Sequence, residues 1–259
     1  MADEHRLFSL GILALTLALT GAYLVGVQGQ SRRGRSWPTG RLLFWLIGTF
    51  VLVVAVSPGV MRWAHVDMRW HMGQHLLLGM LAPLALVLAA PFSLLLRSLP
   101  VVWARRVAVW LGSDLARLFC HPLTALLLNI GGMYLLYATP LYAASLRSPA
   151  LHHLLHVHFM LAGYLFCQAV LGGPDRMATA HAGSLRLAVL LIAIAAHAIL
   201  GKLMYGYLWP VGVAQPSEQL RTAAQLMFYG GDLIEALMLI LLLLGGRLTR
   251  RQPLPLVRV

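Results

Sequence analysis

The sequence predicts an all-α, polytopic integral membrane protein of seven transmembrane helices, organised as a single helical-bundle domain over residues 1–259. Three observations lead there. Of the residues, 59% are hydrophobic and only 11% are charged, which is too little charge to solvate the surface of a water-soluble domain. The apolar residues gather into blocks of about 20, the length a helix needs to cross a ~30 Å hydrocarbon core. The basic residues collect in alternate connections, as the positive-inside rule requires.

The blocks run over 7–27, 41–58, 72–91, 122–140, 151–171, 186–206 and 221–245. The first ends in "GAYLVGVQGQS", which has no clear small-x-small cleavage site, so it is expected to stay as a helix. A basic loop, "QGQSRRGRSWPTGR", leads to the second block, which Pro58 and Gly59 stop. "MRWAHVDMRWHMGQH" then lies at the outer interface, where Trp63 and Trp70 suit the headgroup boundary. After the third block, residues 97–117 alternate arginine with Val, Trp and Leu over too short a span to cross. They predict a short interfacial helix on the cytoplasmic face. "GGPDR" at 172–176 lacks the Walker pattern and reads as a turn after the fifth block.

One side of this topology holds Arg32, Arg33, Arg35, Arg41, Arg97, Arg105, Arg106, Arg117, Arg176, Arg186 and four arginines after residue 245, together 14 of the 20 basic residues. That asymmetry places the C-terminus in the cytoplasm and the N-terminus outside. The net charge of +12 therefore reflects orientation in a bilayer, and no nucleic-acid partner is expected. Cys120 and Cys167 form no CxxC pair and imply neither a disulfide framework nor a thiol copper motif.

The topology sends the N-terminal ends of the third and fifth blocks to the same outer side. His71 and His75 are spaced i, i+4 on one helix face, and His152 and His156 repeat that spacing. His197, about 14 Å below the outer end of the sixth block, shares their depth zone. Met72 and Met204 add thioethers. Imidazole with thioether suits copper, with sulfur favouring Cu(I); zinc on imidazole alone or a haem on axial histidines fits less well. His153 and His158 point off the histidine stripe, and His121 and His181 fall on the opposite side. Ionisable groups within a span read as functional. Asp232 and Glu235, one turn apart on the seventh block, need partners, and His197 and Lys202 are nearest by depth. That set is either a polar relay or a clamp between the last two helices.

The stretches "HMGQHLLLGMLAPLALVLAAP", "HHLLHVHFMLAGYLFCQAVLGGPD" and "AQLMFYGGDLIEALMLIL" together resemble the CtaG family of multi-spanning cytochrome c oxidase assembly factors, over about residues 42 to 245. Family members commonly carry Asp-Gln before the Gly-Gly pair of the last helices, where this chain has "AQLMFYGGD". The resemblance implies a bacterial cytoplasmic-membrane protein that matures oxidase by handling copper for its copper centres. It maps onto His71, Gln74, His75, His152, His156, Asp232 and Glu235, and less closely onto His197 and Lys202. The partners it implies are oxidase subunits, the lipid bilayer and an extracytoplasmic copper chaperone. The large apolar surface also admits a homo-oligomer.

Function classes other than copper delivery fit the same residues. The histidine cluster could be the entry of a copper or proton-coupled transporter whose path is lined by Asp232, Glu235 and Cys167. A haem-binding redox protein and a pure scaffold that packs through "GGM" at 131–133 and Gly230-Gly231 are further readings. No Ser-His-Asp order, HExxH, P-loop or dinucleotide fingerprint is present, so an enzyme is not expected.

Overall fold

Regular structure is helical throughout the described residues, which are 2–172, 175 and 181–250 of the computed structural model; side chains are described for 7–172, 175 and 181–245. Arg176, Arg251 and Arg258, counted above on the basic side, and most of the 172–176 turn lie outside them, as do the side chains of Arg247 and Arg250.

The helices are α1 (Ala2–Arg32), α2 (Thr39–Ala55), α3 (Pro58–Val66), α4 (Met68–Leu76), α5 (Ala82–Leu88), α6 (Pro91–Ser98), α7 (Val101–Leu111), α8 (Asp114–Phe119), α9 (Pro122–Leu126), α10 (Gly132–Ala138), α11 (Leu141–Ser145), α12 (Pro149–Leu171), α13 (Gly183–Tyr207) and α14 (Ser217–Arg250). Among the described residues five stretches are long and apolar enough to cross a membrane: Leu7–Arg32, Met68–Leu88, Pro149–Leu171, Gly183–Tyr207 and Ser217–Gly245. Helices α2 and α3 make a sixth if they count as one span bent by 51°. The bend falls at Pro58, which lacks the N–H that would continue the α2 ladder. Pro122–Ala138 is apolar but shorter, at no more than 17 residues.

Two turns of wider, π-helical backbone interrupt these rods. One, Leu77–Leu81, joins α4 to α5, with the Ala82 N–H bonded to Leu77 O. Its cause is in the sequence: the Gly79 carbonyl would pair with the N–H of residue 83, and residue 83 is proline. That carbonyl instead faces α12 at Gly163, where any Cβ would collide with it. The other, Leu127–Gly131, joins α9 to α10. Here the Gly132 N–H turns to Asn129 O, and the His158 ring donates from Nε2 to the freed Leu128 O at 3.1 Å.

Two segments differ from the sequence expectation. The connection at 58–70 is helical, because Ser57-Pro58 restarts the chain as α3 and Asp67 then caps α4. The interfacial segment 97–117 is not one helix. Leu99 precedes Pro100 and is extended, which ends α6, and Ser113 starts α8 by accepting from the Ala116 N–H at 3.2 Å.

The main core lies between α4, α5, α9, α10, α12, α13 and α14, with Met68, Met72, Met133, Met204, Met227 and Met238 in it. Unbranched thioethers fill the gaps between these helices. A second core joins α1, α2 and α6. There Tyr23 stacks on Trp45 at 4.4 Å, donates to Ala89 O at 2.8 Å and accepts from Trp37 Nε1 at 3.0 Å.

The two ends of the bundle differ in chemistry. At one end Arg41 and Arg97 stand over the Trp37 ring, Gln30 and Arg33 donate to Arg97 O, and the His121 and His181 rings meet at 4.7 Å. Asp175, 2% exposed, accepts there from the Phe92 and Ser93 N–H groups at 2.8 and 2.6 Å. Its carboxylate satisfies the first donors of α6, which Ala90 in the left-handed region cannot cap. The opposite end carries His71, His75, His152 and His156.

Candidate functional site

Two capped helix starts hold the site. Asp67 accepts from the Arg69 N–H at 2.8 Å and from Arg69 Nη2 at 2.6 Å. The Arg69 hydrogen bonds hold its carboxyl below the ordinary range, so the cap of α4 stays ionised. Ser148 accepts from the Leu151 N–H at 3.3 Å with Pro149 in the first turn, which starts α12. One turn on from each cap come His71 and His152, then His75 and His156, all buried.

These four imidazoles line one cavity of about 30 Å³, with Gln74, Tyr142, Ser145, Leu78, Leu136, Leu155 and Phe159. The space exceeds the roughly 10–15 Å³ that one water needs, so it admits a water or a single ion. Gln74 ties the two helices together. Its amide donates to Ala55 O at 2.7 Å and to Met61 Sδ at 2.9 Å, which aims Oε1 at His156 Nε2, 3.1 Å away. His156 Nδ1 lies 3.0 Å from His152 O. Both ring nitrogens of His156 thus face oxygen acceptors.

The other rings have softer surroundings. His71 Nε2 lies 3.3 Å from Tyr137 Oη, its ring packs on Tyr142 at 4.7 Å, and its Nδ1 is buried without a hydrogen-bond partner among the described residues. His75 Nε2 lies 3.0 Å from Met133 Sδ, and its ring meets Phe159 edge-on at 5.2 Å. His152 is flanked by the His65 ring at 4.2 Å and the His156 ring at 4.4 Å. Among the described residues no three His, Cys, Asp or Glu side chains are grouped as a metal ion requires. The site is a cluster of imidazoles and not a preformed coordination cage.

Deeper in the bundle, His197 Nδ1 lies 3.5 Å from Glu235 Oε2, and both side chains are within 2% of full burial. Glu235 also lines a cavity of about 10 Å³ with Asn129, Met133, Cys167 and Met238. Met133 therefore stands between the histidine cavity and this second one.

The remaining candidates lie elsewhere. Met72 and Met204 are fully buried in the main core, and neither lines the histidine cavity. Lys202 is exposed with Nζ over the Phe228 ring at 5.6 Å and forms no ion pair with Asp232 or Glu235 among the described residues. Asp232 is half-buried, and its Oδ1 has no hydrogen-bond partner among the described residues. His153 stacks on Phe8 at 4.0 Å. The sequence reading did not single out Met133, Tyr137 and Tyr142 as site residues, although Met133 and Tyr137 carry the same i, i+4 spacing as the histidines they touch.

The motifs that build this cavity sit inside a longer match. A family model for the cytochrome c oxidase caa3 assembly factor (Caa3_CtaG) matches residues 21–247. The chain belongs to that family. The histidine cavity, the His197–Glu235 pair and both π-helical turns of this Caa3_CtaG member all fall within the match. The chain is also 36% identical over 178 residues to an uncharacterized protein of Mycobacterium tuberculosis and to one of Mycobacterium bovis, matching 65% of this chain and 27% of each relative. A Mycobacterium leprae protein, also uncharacterized, is 34% identical over the same length. The Caa3_CtaG chain thus spans about a quarter of the length of these curated relatives. No solved structure matches it.

Proposed function

We propose that this Caa3_CtaG member takes up cuprous copper as cargo at the outward-facing end of the bundle and delivers it to a cytochrome c oxidase subunit, catalysing no reaction itself. The observation that carries the reading is the convergence of His71, His75, His152 and His156 on one cavity of about 30 Å³, with the Met133 thioether 3.0 Å from His75. Imidazole and thioether are the donors that soft Cu(I) prefers, whereas zinc gains nothing from the sulfur. The size of the cavity favours an ion over a haem. Capture calls for ring rotation: His71 Nδ1 has no competing partner, while His156 must release Gln74. A site that rearranges to bind holds its cargo less tightly than a rigid cage, which suits hand-over.

The same reading has seven spans, with α2 and α3 as one and Pro122–Ala138 as another, the N-terminus outside and the C-terminus in the cytoplasm. It sets the protein in the bacterial cytoplasmic membrane, where an extracytoplasmic copper chaperone can reach the histidine end. The test is anaerobic Cu(I) loading of detergent-purified protein, with metal analysis of wild type against His71→Ala/His152→Ala. Near-stoichiometric copper in the wild type, lost in the variant at unchanged helical content, is expected. Full copper in the variant overturns the assignment of the site.

A further inference from the structure

The arginine end of the bundle holds a feature that copper handling does not use. A cleft of about 470 Å³ is lined by Arg33, Arg35, Arg97 and Arg105, with apolar groups of α6 and α7 between them. None of the four arginines has a carboxylate partner among the described residues. Arg33 Nη1 donates to Arg97 O at 3.0 Å, which holds the end of α1 against the end of α6. Helix α7, which forms the outer wall, exposes Val101, Val102, Trp103 and Trp110 beside Arg105. Apolar and aromatic groups next to arginine belong at a headgroup boundary.

On the other side of α6 an apolar crevice of about 410 Å³ runs up α1 from Gly26 to Leu19, walled by Trp45, Leu86, Phe92, Leu94 and Met160. Residues Leu96, Arg97 and Leu99 line the basic cleft, while Leu94, Leu95 and Ser98 line the crevice, so the two meet across a single turn of α6. Ser98 Oγ and Tyr164 Oη both belong to crevice-lining residues, and neither has a hydrogen-bond partner among the described residues. Gly26 and Arg33 are seven residues apart on α1, about 10 Å along the axis. Cationic cleft and apolar channel thus adjoin at one turn of α6, in the order of a phospholipid's phosphate and acyl chain.

We infer that this end of the bundle binds one anionic phospholipid, its phosphate among Arg33, Arg35, Arg97 and Arg105 and an acyl chain in the crevice between α1 and α6. The bilayer supplies the ligand, and basic pockets between spans are where anionic headgroups settle. The lipid joins α1, α2, α6 and α12 where the second core is thin, so its loss loosens α1. This site is independent of the histidine cavity and stands whether or not copper binds there.

The test uses the full chain, stripped of lipid in a neutral detergent and supplied in turn with phosphatidylglycerol, phosphatidylcholine or inorganic phosphate. Native mass spectrometry and thermal unfolding are the readouts. One phosphatidylglycerol should be retained per chain, raising the unfolding midpoint by about 5 °C, and the other two additives should do neither. Arg35→Gln/Arg105→Gln, both exposed and outside the Trp37 packing, should lose the preference for the anionic lipid. Ala22→Phe, which fills the crevice and leaves the charges, should lower retention at least tenfold. Equal retention of phosphatidylcholine would remove the role of the arginines, and an equal effect of inorganic phosphate would remove the role of the crevice. A dimer or co-purified polypeptide in place of lipid mass would show that a helix covers this face; each of these three results overturns the proposal.

Discussion

His197 is completely buried on an apolar helix, and what its ring meets decides whether the last two helices can pack. Glu235 lies 3.5 Å from its Nδ1, and the ring presses on the backbone of α14 at Gly231, where an added Cβ would fall on the imidazole carbon Cε1. Gly231→Ala must therefore displace His197 and separate it from Glu235, at a cost of about 1–3 kcal/mol for overpacking. Gly206, on α13 itself, faces open space. Its replacement by alanine should be neutral or slightly stabilising, because alanine loses less backbone entropy in a helix. Thermal unfolding of the two variants in one detergent measures the difference, and equal midpoints would remove the packing role of Gly231. At this scale the sequence was legible where spacing alone places a side chain. The i, i+4 pairs His71/His75 and His152/His156 do line one cavity. It was not legible where a partner comes from another helix. Met133, and not Met72, lies against His75, because that contact comes from α10, and spacing within α4 says nothing of which helix packs across from it. Lys202 likewise follows its own helix face outward, and depth alone did not reveal that.

An element in this bundle starts or breaks where a backbone group loses its partner, and the lost partner is usually supplied from elsewhere. The Gly79 carbonyl, orphaned by Pro83, turns to Gly163. The Leu128 carbonyl, freed by the second π-helical turn, takes the His158 ring. Helix α6 is the sharpest case. Its Ncap, Ala90, has no side-chain acceptor, and the two N–H groups of Phe92 and Ser93 are met by Asp175, more than 80 residues later in the chain. Asp175→Ala should cost about 1–3 kcal/mol, as expected when buried donors lose a charged acceptor. Asp175→Asn, which keeps one acceptor oxygen, should recover part of that loss. Amide exchange at Phe92 and Ser93 reports the cap directly, and unchanged protection in the alanine variant would rule it out. The long elements were readable from apolar length, and Pro58 from its chemistry. The division of 97–117 depended on Pro100 and on the Ser113 cap. A charge-and-apolar alternation passes over both.

For the whole molecule the question is whether Pro122–Ala138 crosses the bilayer, because the parity of every later helix depends on it. At 17 residues it is about 25 Å long as an α-helix, short of a ~30 Å core but within what local thinning or the flanking helices accommodate. Its contacts reach both ends of the bundle. His121, which precedes α9, stands against His181 at the arginine end. Tyr137, near the end of α10, stands against His71 at the histidine end. A segment that touches both ends separates them by its own length. On the proposed seven-span reading this segment crosses, and α12 begins at the histidine end, where His152 shares a cavity with His71. The proposed seven crossings would also keep the cleft of Arg33, Arg35, Arg97 and Arg105 on the same face as the basic start of α13 at Arg186, as a positive-inside orientation requires. With the two native cysteines replaced by serine, single cysteines introduced at Val109 and Tyr207, both well exposed, should then react from opposite sides. A membrane-impermeant maleimide added to intact cells should label Tyr207→Cys, and Val109→Cys only after the membrane is opened. Labelling of both from outside would break the alternation, and with it the placement of the histidine cavity where an extracytoplasmic copper donor can reach it.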